Sequence, residues 1–220
     1  MTAKAGTKPT VVLLHGLART HRSMAWLGAL LDEAGYPTWA ETYPSRRRPL
    51  ADLADFVASR IEKDLDGKPL VAVTHSLGGV LVRHMAARVP FRAVVMLAPP
   101  NRGSRVARAV SRLPLYQMMY GPVGNEVTAP EAWPLPPRPC GVIAGTRRRS
   151  PGNPTSWLTS TLRLLPRDEP SDGTLLVDET RLENGALDDF TTVDASHTWI
   201  LRHPEVPGLI TRFIERGRFR

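Results

Sequence analysis

The segment Val73-Thr-His-Ser-Leu-Gly-Gly79 places a serine hydroxyl between an apolar run and a helical pattern. A strand that turns directly into a helix exposes the residue at the turn above the sheet edge, and small residues beside it relieve crowding. The first N–H groups of the helix point at that residue, where they can stabilise charge developing on a substrate oxygen. We therefore predict that Ser76 is a nucleophile. The alternative is a serine that only caps the helix.

A nucleophilic serine needs a general base within hydrogen-bond reach. The chain has six histidines: His15, His21, His75, His84, His197 and His203. His75 adjoins Ser76, but neighbouring side chains at such a turn point in different directions, and His84 lies two turns into the helix. His197 follows the last predicted strand and so reaches the sheet edge that carries Ser76. We predict that His197 is the base.

The base needs a carboxylate that fixes its tautomer and orientation. The candidates after the fifth predicted strand are Asp168, Glu169, Asp172, Asp178, Asp188, Asp189 and Asp194. Asp172 precedes a glycine in a loop, although a long stretch, residues 146–171, separates it from the strand before it. Asp194 lies three residues before His197 and could contact it locally. The residue types alone leave both open.

Short apolar runs alternate with helical patterns along the chain, and these elements must position the side chains above. The patterns predict strands at 11–14, 38–43, 70–74, 93–97, 141–145 and 189–193, and helices at 23–34, 50–65, 77–89, 104–119 and 208–216. The alternation implies an α/β fold with a mainly parallel sheet and helices on both faces. We expect residues 1–220 to form one domain, with the proline-rich stretch as an insertion.

Composition excludes several classes of protein. The 220 residues are 42% hydrophobic and 23% charged, which is ordinary for a globular chain, and no apolar run is long enough to span a bilayer. The net charge of +8 includes two arginine runs, 46–48 and 147–149, without interleaved aromatics. We expect no nucleic-acid partner, while a weak attraction to anionic lipid stays open.

Other features concern cofactors and location. The single Cys140 can form neither an internal disulfide nor, alone, a zinc site, and no ligand cluster indicates a metal or cofactor. The first nine residues lack the apolar core of a signal peptide, so we expect a cytoplasmic protein. The oligomeric state, monomeric or higher, stays open.

The Ser76 turn and four further motifs resemble the α/β-hydrolase family, in particular small bacterial serine esterases and lipases of the triacylglycerol-lipase type. Besides the Ser76 turn, these are Leu14-His-Gly-Leu17, Leu97-Ala-Pro-Pro-Asn-Arg-Gly-Ser104, Ser171-Asp-Gly-Thr174 and Ser196-His-Thr198. They occur in the family's order of serine, acid and histidine, over residues 10 to 216. The sequence departs from the usual G-x-S-x-G pattern at Thr74, which replaces the first glycine and makes the turn more crowded.

The resemblance implies about six mostly parallel strands in the spatial order second, first, third, fourth, fifth and sixth. It favours Asp172 as the acid and the backbone N–H groups of Leu17 and Leu77 as the oxyanion hole. Residues 101–137 would form a small cap over the site. The expected substrate contacts are His15, Gly16, His75, Leu113 and Met118.

The activity implied is hydrolysis of carboxylic esters through an acyl-serine intermediate. The short cap leaves little chain for a long enclosed tunnel, which favours short to medium acyl chains in a small ester or lipid substrate. An acyltransferase or a thioesterase would use the same triad, since a fold does not fix the substrate. A catalytically silent binding module on this scaffold is the alternative from another class.

Overall fold

The computed structural model describes residues 8–151, 154–162, 164–182 and 187–220. Its sheet has six strands: β1 (Thr10–Leu14), β2 (Thr38–Ala40), β3 (Leu70–His75), β4 (Phe91–Leu97), β5 (Cys140–Gly145) and β6 (Asp189–Val193). All neighbouring strands pair in parallel, in the order β2-β1-β3-β4-β5-β6. The predicted fold class and strand order are therefore confirmed.

The helices match the apolar patterns with a few differences. They are α1 (Ala25–Glu33), α2 (Leu50–Leu65), α3 (Leu77–Met85), α4 (Arg105–Val110), α5 (Pro114–Glu126), α6 (Pro154–Thr161) and α7 (Val206–Arg216). The helix expected over 104–119 is two helices, because Pro114 lacks the N–H that would continue α4 and instead starts α5, a position that proline favours. Helix α6 lies in a stretch where the sequence predicted only loop.

Apolar side chains cover both faces of the sheet, as its buried strands require. On β1, Val12 and Leu14 join the cluster that helices α2 and α3 bury, while Val11 and Leu13 join the opposite cluster with α1 and α7. Alternate residues of a strand point to opposite faces, so one short apolar run contributes to both cores. The sheet is thereby held between two helical layers.

The insertion between β4 and β5 is packed partly into the core. Val123, Val127 and Trp133 join the cluster on the α2 and α3 side. The buried guanidinium of Arg83 on α3 donates to the carbonyl of Trp133 at 3.2 Å. Among the described residues, no helix has the length and apolar character needed to cross a membrane.

The carboxyl ends of the parallel strands share one edge of the sheet, where open α/β sheets place their ligands. Strand β1 leads there into His15, β3 into Ser76 and β6 into the loop with His197. Three distant parts of the chain therefore meet at this edge.

Candidate active site

The serine at the end of β3 has a strained backbone. Ser76 has φ 51° and ψ −117°, a region that residues with a side chain seldom adopt. The turn packs closely against its neighbours: a Cβ on Gly78 would lie 2.5 Å from the carbonyl oxygen of Leu14, and one on Gly79 would lie 2.9 Å from Cβ of Pro99. The two glycines therefore let helix α3 leave the turn directly beneath Ser76.

Thr74, which replaces the usual first glycine of the motif, fits this turn. It is fully buried inside β3 and pairs with Leu14 on one side and Met96 on the other. β-Branched residues suit a pleated, buried strand. The departure from the usual pattern is thus accommodated within the strand before the turn begins.

His197 lies between Ser76 and Asp172. Its Nε2 is 3.1 Å from Ser76 Oγ, and its Nδ1 is 2.6 Å from Asp172 Oδ2. A carboxylate accepts only, so the hydrogen bond to Asp172 puts a proton on Nδ1 and leaves Nε2 to accept from the serine hydroxyl. The structure therefore joins the three predicted side chains in one hydrogen-bonded chain.

Asp172 reaches this position because the long loop after β5 folds back onto the end of that strand. A Cβ on Gly145 would lie only 3.0 Å from Cβ of Asp172. Oδ1 of Asp172 accepts hydrogen bonds from the N–H groups of Thr174 and Leu175 at 2.9 and 2.8 Å. The backbone oxygen of Asp172 accepts one from the N–H of His197 at 3.0 Å. The carboxylate is almost wholly buried and its orientation is fixed from three sides.

The alternative acid, Asp194, lies elsewhere. Its side chain is 70% exposed and forms an ion pair with Arg147 at 2.6 Å. The other candidates have their own surroundings: Asp178 pairs with Arg102, Asp188 pairs with Arg138, Asp189 accepts from the N–H of Phe219, Asp168 is exposed and Glu169 is half-buried. The geometry thus distinguishes Asp172 from every acid that the sequence left open.

The loop after β1 is held by a stacked pair that the sequence analysis missed. The ring of His15 lies 3.8 Å from that of Tyr43, nearly parallel to it, and the Tyr43 hydroxyl donates to the carbonyl oxygen of His15. His15 Nδ1 donates to the carbonyl of Gly16 at 2.8 Å, and its Nε2 accepts from the Tyr43 N–H at 3.3 Å. The available sequence signal was the aromatic hydroxyl of Tyr43 in the loop directly after β2, the strand that pairs with β1.

Both members of the stack keep their neutral form near pH 7. Burial lowers the pKa of His15 to about 4, which matches a ring whose Nε2 must accept a hydrogen bond. Burial also raises the pKa of Tyr43 well above its ordinary value, so its hydroxyl remains a donor. The loop carrying Gly16 and Leu17 is therefore fixed by neutral groups.

Two backbone amides lie in the turns that follow β1 and β3, those of Leu17 and Leu77. Leu77 is the first residue of α3, where a helix leaves the N–H without an intrahelical partner. Among the described residues, neither this N–H nor that of Leu17 donates to a protein acceptor. They are the two amides that the family resemblance predicted as the oxyanion hole.

The expected substrate contacts fall into two groups. His15, Gly16 and His75 are buried. Leu113 and Met118 are exposed, by 54% and 71%, at the start and in the first turns of α5. Their contact with a substrate stays a prediction.

Metal ligands do not cluster in the part of the chain that the structure describes. No group of three or more histidine, cysteine, aspartate or glutamate side chains there could hold a metal ion. The chemistry available at this edge is that of the serine, the imidazole, the carboxylate and the backbone amides.

The profile of the alpha/beta hydrolase family matches residues 11–207, and the chain belongs to that family. No curated protein matches the sequence significantly. Mature lipase BlEst2 from Bacillus licheniformis is 17% identical with a TM-score of 0.69, over 96% of this chain and 94% of that one. The metagenomic carboxyl esterase MGS0156 is 18% identical with a TM-score of 0.73, over 97% and 77%.

A third solved structure with this fold is the NocB thioesterase domain, in covalent complex with a fluorophosphonate nocardicin G analog. It is 14% identical with a TM-score of 0.55, over 91% of this chain and 90% of that one. At such identities the likeness extends to the fold alone.

Proposed function

We propose that this protein is a serine hydrolase of carboxylic esters that works through an acyl-serine intermediate. The observation that carries the proposal is the unbroken hydrogen-bonded chain from Ser76 through His197 to Asp172. A nucleophile, a base and an orienting acid in this order are the parts that acyl transfer from an ester requires.

In the first half-reaction, Ser76 Oγ attacks the ester carbonyl carbon and His197 Nε2 takes the hydroxyl proton. The carbonyl oxygen becomes an oxyanion, which the N–H groups of Leu17 and Leu77 stabilise. Each such donor is worth about 3–4 kcal/mol of transition-state free energy. The bond to the alcohol oxygen then breaks as His197 returns the proton to it, and Asp172 stabilises the imidazolium throughout.

In the second half-reaction, water replaces the alcohol. His197 takes a proton from water as the water oxygen attacks the acyl carbon. The bond from that carbon to Ser76 Oγ then breaks, His197 returns the proton to Oγ, and the carboxylic acid is released. An alcohol that replaced water here would make the enzyme an acyltransferase. The products formed in the presence of a competing alcohol distinguish the two activities.

We further propose that the acyl chains are short to medium and that Leu113 and Met118 contact them. Both side chains are apolar, exposed and part of the insertion that follows β4 at the serine edge. Turnover of p-nitrophenyl esters from butyrate to octanoate should exceed that of palmitate. Faster turnover of palmitate would contradict this.

The nucleophile is tested by replacing Ser76 with alanine. Ser76→Ala should lower kcat by about 10⁴–10⁶-fold, since members of a triad act as a unit. A fluorophosphonate probe should label the wild type but not this variant. Ser59→Ala, on the exposed side of α2, is the matched control and should behave like the wild type.

Two outcomes would overturn the proposal. Ester hydrolysis by Ser76→Ala at a tenth of the wild-type rate would remove Ser76 from the mechanism. A wild-type protein that neither hydrolyses esters nor reacts with the fluorophosphonate would be the silent module instead.

A further inference from the structure

The imidazole next to the nucleophile has a role that the proposed reaction does not yet use. His75 Nε2 lies 2.9 Å from the carbonyl oxygen of His197, the residue that also bonds Ser76. We propose that His75 is a positioning residue: it holds the backbone of His197, and through it the base, against the serine. This inference rests on the proposed function.

The protonation state of His75 follows from its partner. A carbonyl oxygen only accepts, so Nε2 of His75 carries the proton and donates it. Burial lowers the pKa of His75 well below its ordinary value, which keeps the ring neutral and its second nitrogen unprotonated. Among the described residues, that second nitrogen, Nδ1, has no hydrogen-bond partner. The side chain thus makes one hydrogen bond, and this bond goes to the base.

The hydrogen bond from His75 is one of two that hold the backbone of His197. On one side the N–H of His197 donates to the carbonyl of Asp172 at 3.0 Å, and on the other its own carbonyl accepts from His75. Apart from the bond to Ser76 itself, the His75 contact is the only hydrogen bond in the described part of the chain between β3 and the His197 loop. His75 and Ser76 are consecutive, so the element that carries the nucleophile also holds the base.

The distance between base and nucleophile depends on this arrangement. The ring centroids of His75 and His197 are 5.0 Å apart, and His75 leaves no room for a side chain at position 16, because a Cβ on Gly16 would lie 2.9 Å from its Nδ1. A shift of about 1 Å in a reacting group can lower the rate of a reaction by about 100-fold. Loss of the contact should therefore lower kcat with little change in KM, because the ring is buried and its hydrogen bond goes to the backbone of His197.

A matched pair of variants separates positioning from packing. His75→Gln keeps an N–H donor at a similar reach, whereas His75→Met has a similar length and no donor. We expect His75→Met to lower kcat for p-nitrophenyl butyrate by about 10- to 100-fold with KM within about twofold, and His75→Gln to restore most of the loss. The rate of fluorophosphonate labelling of Ser76 should follow the same order, and circular dichroism should report both variants as folded.

Equal activity of the two variants would overturn the inference, because packing alone would then explain the histidine. Should His75→Met fail to fold, His75→Asn serves instead, since its amide is too short to reach the carbonyl and should be as impaired. If His75→Asn matched His75→Gln in kcat, the inference would be wrong. A wild-type protein inactive towards esters and the probe would instead overturn the proposed function.

Discussion

Replacing Asp172 with asparagine should abolish most of the activity by reversing the tautomer of His197. The amide oxygen of asparagine can keep the hydrogen bonds from the N–H groups of Thr174 and Leu175. Its NH₂ group then faces His197 Nδ1, which lies 2.6 Å from the carboxylate in the native protein. A donor now meets a donor, so the proton of the imidazole moves to Nε2.

The size of the loss in kcat follows from the shift of the imidazole proton from Nδ1 to Nε2 of His197. With the proton on Nε2, His197 donates to Ser76 Oγ, 3.1 Å away, and cannot take its proton. Loss of the correct tautomer lowers kcat by about 10³–10⁴-fold, or about 4–5 kcal/mol of activation free energy. Asn is nearly isosteric with Asp and two of the buried hydrogen bonds survive, so the fold should persist.

Asp194→Asn is the control, because Asp194 is exposed and paired with Arg147 rather than with His197. Its kcat should stay within about twofold of the wild type, as expected for an exposed ion pair. The assay is steady-state hydrolysis of p-nitrophenyl butyrate, with circular dichroism on each variant. A large loss in Asp194→Asn together with a wild-type rate in Asp172→Asn would refute the reasoning.

Three further predictions concern the support of the site. Tyr43→Phe removes the donor to the carbonyl of His15 and should lower kcat about tenfold with KM unchanged; a wild-type kcat would contradict it. As pH falls from about 6.5 towards 4, the unfolded chain takes a proton that buried His15 does not, so stability should fall by up to about 3 kcal/mol. Urea unfolding of His15→Gln should show a flatter pH dependence over that window, and an unchanged slope would exclude this role. Gly78→Ala brings a Cβ to 2.5 Å from the carbonyl oxygen of Leu14 and should lower the free energy of unfolding in urea by about 1–3 kcal/mol. Gly208→Ala is the control and should not destabilise the protein, because outside its own helix the new Cβ would meet nothing within 4 Å.

Local patterns predicted the fold well because they record burial directly. The apolar run of β1 and the spacing on α2 reflect which side chains face the core, and both elements lie where the sequence predicted them. The helix over 104–119 was one exception, since a period of apolar residues says nothing about the break that Pro114 imposes. Helix α6 carries only a weak apolar pattern and was missed for that reason.

The sequence by itself determined the turn at Ser76. The tight turn leaves no room for side chains at positions 78 and 79, so the two glycines beside the serine indicate it directly. The residue types alone could not choose between Asp172 and Asp194, and only the family resemblance favoured Asp172, since that choice depends on how a long loop returns to the end of β5. Nor could the sequence reveal that His75 is bonded to the backbone of His197, more than a hundred residues away. Spacing along the chain encodes which face of an element is buried, whereas contacts between loops arise only when the parallel strands bring their ends to one edge.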